Sequence, residues 1–374
     1  MQWSSGMNVI STPTLLLDEK TVRRNISVMA DKAKQNKVVF KPHFKTHQSV
    51  QIGQWFQDVG VEKITVSSVT MAEYFADAGW MDITIAFPCN ILQIDRINEL
   101  AARISLSILV SDANALPVLT QSLTNPVQVY IEIDTGSDRT GWAPHQTDSI
   151  SKVVNQIYDH SQLQFKGFYS HPGHSYAARS KSEIRKIHGD AVSKINSLKK
   201  QFQTQYPDLV CCIGDTPCCS VAKHFEGIDE ISPGNFVFYD LMQHQIGACR
   251  LKDISVALAC PVVATYPQRG EIVIHGGAVH LSKESIRVDG HKMYGRIVQL
   301  SNDLHWEEPV DGCWVKSLSQ EHGIVKCSNE CIKQLDLGDL IGILPVHSCL
   351  TADAMKKYYT INDLTELEHM QASL

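Results

Sequence analysis

From Val38 to Gly234, short runs of β-branched and apolar residues alternate with longer amphipathic stretches, the pattern of parallel strands joined by crossover helices. The spacing predicts eight strands: Val38–His43, Lys63–Ser67, Ile83–Phe87, Ile104–Val110, Val127–Ile133, Phe165–His171, Leu209–Gly214 and Ile228–Ser232. It predicts helices over Asp18–Gln35, His47–Val59, Val69–Gly79, Ile91–Ala102, Asp112–Gln121, Asp148–His160, Ala178–Gln203 and Pro217–Phe225. Asp18, Asp112 and Thr147 are suited to cap a helix N-terminus, and Gly60 and Gly79 stand where a helix should stop. Eight such repeats fit a closed (β/α)8 TIM barrel over residues 11–244 better than the alternative, an open doubly wound sheet.

After Tyr239 the texture changes. Ile254–Tyr266, Glu271–Ile274, Tyr294–Leu300, Gly323–Lys326 and Leu340–Val346 are strand-like and separated by Gly, Pro and Asp, and a helical period returns only at Ala352–Lys357. Residues 245–374 are therefore expected to form a second, mainly β domain, to which residues 1–10 add a strand.

Composition narrows the choice of partners. At 374 residues, 43% hydrophobic and 20% charged, the chain reads as globular, with two domains or one large barrel and an addition. A net charge of −6, a pI near 6.2 and no block of like charges leave no electrostatic footprint for nucleic acid or an anionic membrane. The chain does not open on a basic stretch followed by an apolar core, and no window approaches the ~18 apolar residues of a membrane span, so a cytoplasmic protein is expected. The eleven cysteines are odd in number and include the adjacent pairs Cys211-Cys212 and Cys218-Cys219, which favours reduced thiols over a disulfide framework. No Cys-x-x-Cys occurs, which speaks against a structural zinc ribbon.

Chemically versatile residues gather behind the predicted strands. Lys45 follows the first, in Lys41-Pro42-His43-Phe44-Lys45-Thr46-His47; a lysine at a barrel mouth is a nucleophile toward a carbonyl or a cofactor aldehyde, although the window also reads as a solvated basic loop. Asp134 to Arg139 follow the fifth strand, His171 to Tyr176 the sixth, Gly214-Asp215-Thr216 the seventh and Pro233-Gly234-Asn235 the eighth. In a barrel these ends converge on the face that carries active sites. Gly214-Asp215-Thr216-Pro217 opens a helix beside Gly234-Asn235, the usual place for a phosphate, though both also read as ordinary turns. Arg139 either reaches inward or forms a surface salt bridge, and His171, His174 and Tyr176 either move protons or pack the mouth. His347-Ser348-Cys349 follows an apolar run. On an extended strand residues i and i+2 share a side, so this imidazole and thiolate can hold one borderline-soft metal such as zinc, although His-x-Cys pairs also arise by chance.

With Asp134-Thr135-Gly136-Ser137-Asp138-Arg139-Thr140-Gly141, His171-Pro172-Gly173-His174-Ser175-Tyr176, Pro233-Gly234-Asn235-Phe236-Val237-Phe238-Tyr239-Asp240 and Glu321-His322-Gly323, these motifs span almost the whole chain. It resembles the fold-type III pyridoxal-phosphate enzymes of the alanine racemase superfamily, and within it the D-serine dehydratase and D-threonine aldolase group. The resemblance implies pyridoxal 5'-phosphate bound covalently by Lys45, its phosphate held by Thr216, Gly234, Asn235 and Tyr239, with Arg139 and Tyr176 against its ring. It also implies a divalent metal on His347 and Cys349, zinc before manganese or magnesium. The racemases place an arginine before the last Pro-Gly, facing the pyridine nitrogen; here that residue is Ser232. Without the arginine the ring withdraws electrons more strongly, which suits β-elimination or retro-aldol cleavage over racemization.

On this resemblance the expected enzyme is a dehydratase that converts D-serine or D-threo-3-hydroxyaspartate to a 2-oxo acid and ammonia, with Lys45 taking the α-proton. The alternatives, in order, are a D-threonine aldolase with His171, His174 or a metal-bound water as base, an amino-acid racemase, and a non-catalytic carrier of the cofactor. The expected partners are a small D-amino acid and a second copy of the chain in a homodimer, with no nucleic acid and no membrane.

Overall fold

The computed structural model describes residues 10–371. Contacts group residues 27–234 into one unit and residues 10–26 with 235–371 into another. β1 (Thr14–Leu17) belongs to the second unit.

In the first unit the strands are β2 (Val39–Phe40), β3 (Lys63–Val66), β4 (Asp82–Pro88), β5 (Ser105–Val110), β6 (Val127–Glu132), β7 (Leu163–Ser170), β8 (Val210–Ile213) and β9 (Glu230–Ile231). They form one eight-stranded sheet in the order β2-β9-β8-β7-β6-β5-β4-β3, and every pairing is parallel. The sheet closes on itself through a parallel bridge between His43 and Thr65. There the Phe44 N–H donates to the Thr65 carbonyl at 2.8 Å and the Thr65 N–H to the Pro42 carbonyl at 2.9 Å. The expected (β/α)8 barrel is thus observed, and closure excludes the open sheet. Ile64, Ile83, Ile108, Val129 and Ile213 are each no more than 1% exposed, as strands covered on both faces require.

The crossover helices start where small polar side chains meet orphan amides. Ser49, Ser68 and Ser180 cap Val50–Gln57, Val69–Asp77 and Lys181–Phe202 by accepting from Ile52, Met71 and Glu183 N–H. Thr147, expected as a cap, is instead the first helical residue of Thr147–Tyr158, and Gln146 before it makes no side-chain cap. Gly60 and Gly79 do follow helix ends, at φ 83° and 92°, where a side chain would be strained.

Near the first residues of β4 and β9 the barrel is filled by charge. The Lys41 ammonium, 1% exposed, lies 3.4 Å from Asp82 Oδ1 and 3.9 Å from Glu230 Oε2, while the Tyr130 hydroxyl donates to Glu230 at 2.6 Å. Lys41 is therefore a core residue and not part of a solvated loop.

The second unit comprises β1, β10 (Val256–Tyr266), β11 (Glu271–His275), β12 (Ile286–Val288), β13 (His291–Met293), β14 (Gly295–Val298), β15 (Trp314–Leu318), β16 (His322–Lys326), β17 (Leu340–Pro345), β18 (Lys357–Thr360) and β19 (Glu366–Glu368). Nine of these form a sheet in the order β11-β16-β15-β14-β17-β10-β1-β18-β19, and β11 also pairs with β10. All its pairings are antiparallel except β1 with β18. The expected N-terminal strand falls at Thr14–Leu17, antiparallel to Val256–Ala259; residues 1–9 lie outside the described residues. That pairing draws residues 10–26 to the β unit, and the division falls after Gly234 and not after residue 244. Leu241, Ile254, Ala257, Val298, Leu344 and Val346 belong to one of its buried clusters. Among the described residues no helix is long and apolar enough to cross a membrane.

Candidate active site

Past β2 the chain turns over two buried anchors. Phe44 packs edge-on against Phe75 and Trp80 at 5.0 and 5.1 Å, and His47 stacks on Phe56 at 5.6 Å. With both anchors fully buried, Lys45 between them is carried outward and is exposed. Its N–H donates to His43 Nδ1 at 3.3 Å, which leaves the His43 proton on Nε2.

The other strand ends supply the neighbours. Asp134 Oδ1 accepts the Gly136 and Ser137 N–H groups at 2.9 and 2.8 Å, an Asx turn that leads into Arg139. Burial opposes its charge, but these bonds keep the Asp134 carboxyl below the usual range. A Cβ on Gly141 would stand 2.6 Å from the Glu132 carbonyl, so the loop returns on itself only because that residue is glycine. After β7, the His171 ring stacks over Tyr176 at 6.1 Å, and the His174 ring lies against Gly136, 3.3 Å from where its Cβ would be. The Tyr176 hydroxyl accepts the Thr216 N–H at 3.3 Å. The Ser175 hydroxyl donates at 2.7 Å to Asp215 Oδ2, the cap of helix Thr216–Val221. A Cβ on Gly234 would stand 2.9 Å from the His43 carbonyl and 3.3 Å from Thr46 Oγ1, so this turn abuts the Lys45 segment.

The electrostatics of this mouth are one-sided. Burial comes first, followed by the charges of Lys45, His171, Arg139 and His47, in pushing His43 well below the usual imidazole value. Burial, Arg139, Lys45 and His174 push His171 down to about 3, against one stabilising hydrogen bond at the Gly214 backbone. Both rings are neutral at pH 7. Burial raises Asp215 to about 6 despite its bonds to Cys218 and Ser175. Buried His174 Nδ1 and Asp215 Oδ1 have no hydrogen-bond partner. A mouth with a free lysine, an arginine, neutral imidazoles and unused polar atoms suits an anionic aldehyde such as pyridoxal phosphate. Ser232 donates to Thr65 Oγ1 at 2.8 Å and accepts from the Tyr169 hydroxyl at 3.5 Å, a neutral chain of hydroxyls where an arginine would place charge.

In the β unit a second constellation forms around Asp240. Its Oδ2 accepts the Ser348 N–H at 3.0 Å and the Asn235 side-chain amide at 2.7 Å. That amide also donates to Ser348 Oγ at 3.1 Å and to Cys349 Sγ at 3.5 Å. His347 is the extended residue before helix Ser348–Met355, and Cys349 lies in the first turn of that helix. The two are therefore not alternate residues of a strand, since β17 ends at Pro345; the helix turn still leaves their side chains within hydrogen-bonding reach. Burial works against charge on His347, but the Cys349 thiolate and the Asp240 and Glu284 carboxylates overcome it and push the imidazole up to about 9. An imidazole and a cysteine sulfur side by side, with carboxylates behind them, form a donor set that a divalent metal can take.

A family model described as alanine racemase, N-terminal domain, matches residues 17–241. The chain belongs to that family. In this alanine racemase N-terminal domain protein, residues 255–361 match a second model, described as a putative serine dehydratase domain. D-serine dehydratase of Dictyostelium discoideum is 29% identical, the match covering 96% of this chain and 95% of the relative. The solved structure of D-threo-3-hydroxyaspartate dehydratase from Delftia shares the fold with a TM-score of 0.90, at 23% identity over 98% of this chain and 99% of that one. D-threonine aldolase of Arthrobacter is 25% identical over 48% of each chain.

Of the residues singled out in the sequence, the fold brings Lys45, Arg139, His171, His174, Tyr176, Thr216 and Gly234 to one end of the barrel. Asn235, His347 and Cys349 converge in the β unit. The Asn235 side chain is committed to Asp240, Ser348 and Cys349, so any contact of this residue with a phosphate falls to its backbone. Tyr239 adopts φ 50° and packs against the Leu241 cluster. Sequence reasoning missed His43, Asp215 and Asp240 as organisers. All three lie inside quoted motifs, but nothing local marks a side chain that acts through its neighbours.

Proposed function

We propose that this chain is a pyridoxal-phosphate-dependent lyase of β-hydroxy D-amino acids, and more narrowly a metal-assisted dehydratase of D-serine or D-threo-3-hydroxyaspartate. The observation that carries the reading is the barrel mouth, where Lys45 and Arg139 stand beside imidazoles held neutral, a setting for an anionic cofactor aldehyde and an α-carboxylate. Dehydration is favoured over aldol cleavage because the D-serine dehydratase match runs through 96% of the chain and the aldolase match through 48%. A cysteine-to-alanine mutant of a D-threo-3-hydroxyaspartate dehydratase is known in a metal-free form, which supports a metal at His347 and Cys349 here.

Lys45 would hold the cofactor aldehyde; Thr216, Tyr239 and the backbone of Gly234 and Asn235 its phosphate; Arg139 and Tyr176 its ring; and His347 and Cys349 the metal. When bound, the cofactor supplies an electron sink for charge at Cα and the metal a Lewis acid for the departing hydroxyl. Lys45 Nζ would be the group that takes the α-proton. The neutral His171 ring orders the mouth without adding charge. The neutral Ser232 hydroxyl chain would offer the cofactor ring no cationic neighbour. In the aldolase alternative His171 or His174 accepts the β-hydroxyl proton and Cα–Cβ breaks. The proposal includes a homodimer, and light scattering that shows a monomer at micromolar concentration would refute that part.

The test incubates zinc-supplemented protein with D-serine, D-threonine and D-threo-3-hydroxyaspartate and assays 2-oxo acid against glycine plus aldehyde. Oxo acid formed by the wild type and lost in Lys45→Ala and Cys349→Ala supports the dehydratase. Glycine with aldehyde selects the aldolase, and no product from any substrate refutes the lyase reading and returns the racemase and the carrier.

A further inference from the structure

Among the described residues, two groups of three ligating side chains converge outside the sites above, and both lie in the β unit. In the first, His275, His280 and Glu321, the His280 Nδ1 accepts the Gly277 N–H at 3.1 Å. The His280 proton therefore sits on Nε2 and points to Glu321 Oε2, 3.8 Å away. That nitrogen has no lone pair for a metal, and its contact with Glu321 is longer than a hydrogen bond.

The second, Cys313, Cys327 and Cys331, is different in kind. The register of β15 with β16 pairs Trp314 with Lys326 and so sets Cys313 beside Cys327 at the strand ends. A turn then brings the third thiol: Ser328 Oγ accepts the Cys331 N–H at 3.2 Å, and the Ser328 carbonyl accepts the Ile332 N–H at 3.0 Å. Gly312, at φ 70°, lets the chain pass so close to Ser328 that an added Cβ would stand 3.1 Å from Ser328 Cβ. The three side chains are 2, 4 and 5% exposed, all are free thiols, and their sulfur atoms lie within 4.8 Å of one another. The Ser328 N–H points at Cys313 Sγ, 3.4 Å away.

Three buried sulfurs converging on one point, with a backbone donor aimed at one of them, is an arrangement that apolar packing does not require. In a tetrahedral zinc site with bonds of 2.3 Å the sulfurs stand about 3.8 Å apart, so these need only small rotations to share an ion. A cavity of about 970 Å³, lined by Asp311, Ser328, Glu330 and Cys331 among others, reaches the cluster and offers an entry path and room for a water ligand.

We propose that Cys313, Cys327 and Cys331 form a trithiolate site for a thiophilic divalent cation, Zn²⁺ in preference, with water as the fourth ligand. Binding exchanges the thiol protons for the ion, and no electron is transferred. The site is independent of the Lys45 and His347 readings, and neither stands nor falls with them.

The test uses the cofactor-loaded full chain carrying His347→Ala and Cys349→Ala, reduced and stripped of metal. Titration with Co²⁺ is expected to give a thiolate-to-cobalt charge-transfer band that saturates at one equivalent, with protons released as the thiols ligate. Zn²⁺ should bleach that band, and Mg²⁺ or Mn²⁺ should not. Cys331→Ser in the same background should abolish the stoichiometric band. Because the titration uses the intact cluster, it decides the question even if that serine variant fails to fold. No band and no proton release, with all ten remaining thiols reactive toward a thiol reagent after denaturation, would overturn the proposal. A disulfide among these three cysteines that persists under reductant would overturn it equally.

Discussion

Replacing His171 by glutamine should make the barrel more tolerant of acid, by an amount that follows from the charge pattern of its mouth. In the folded barrel His171 is pushed down to about 3, by burial first and then by Arg139 and Lys45. In an unfolded chain an imidazole titrates near ~6.5. Between these values the unfolded chain binds a proton that the folded barrel refuses, so stability rises with pH in this window and is lost as pH falls below ~6.5. At pH ~5.0 the folded ring is still neutral, and the loss is about 1.36 kcal/mol for each of about 1.5 pH units, or about 2 kcal/mol. That figure depends only on the unfolded value as long as the folded one stays well below the assay pH. His171→Gln removes the titration and keeps a polar side chain. Hydrogen exchange at barrel peptides of the cofactor-free protein, compared at pH ~7.5 and ~5.0, reports this unit by itself. The variant should lose about 2 kcal/mol less than the wild type between the two conditions. Equal losses would mean that His171 is not held neutral, and the account of a cationic, dehydrated mouth would fail with it.

Three further outcomes follow from the same coordinates. Lys41→Met strands Asp82 and Glu230 in the barrel without their buried cation, and a thermal melt should show a loss of about 3–5 kcal/mol; a change under ~1 kcal/mol would contradict the paired network. Gly167→Ala places a Cβ 1.9 Å from the Val210 carbonyl on a residue at φ 145°, and should cost more than about 4 kcal/mol or prevent folding altogether. Asp240→Asn removes the carboxylate that receives Ser348 and Asn235, and should weaken zinc at the His347–Cys349 pair by about 10–100-fold in chelator competition; unchanged affinity would show that Asp240 does not orient the pair.

Much of this molecule is written locally. The alternation of apolar runs and amphipathic stretches marks the eight barrel strands to within a few residues, because each element buries its own face and so repeats its own period. The motif residues Lys45, Arg139, His171, Tyr176, Thr216 and Gly234 could be placed because strand ends in a barrel share a face. Short elements escaped. The strands β12, β13, β15, β18 and β19 run for three to five residues, too few to establish a period.

What only the tertiary structure decided are meetings of residues far apart in the chain. Closure rests on His43 with Thr65, and the place of the N-terminal strand on Thr14–Leu17 with Val256–Ala259. Lys41, two residues from His43 in a basic motif, turns into the core because Asp82 and Glu230 wait there. His347 and Cys349 meet across a helix turn and not along a strand, and Asp240 and Asn235 organise them from more than a hundred residues away. Cys313, Cys327 and Cys331 match no ligand spacing in sequence and converge only because one strand pairs with another and a turn folds back. A local pattern records which face of an element is buried. Which side chains share that burial is set by the register between distant elements, and no single stretch of sequence contains it.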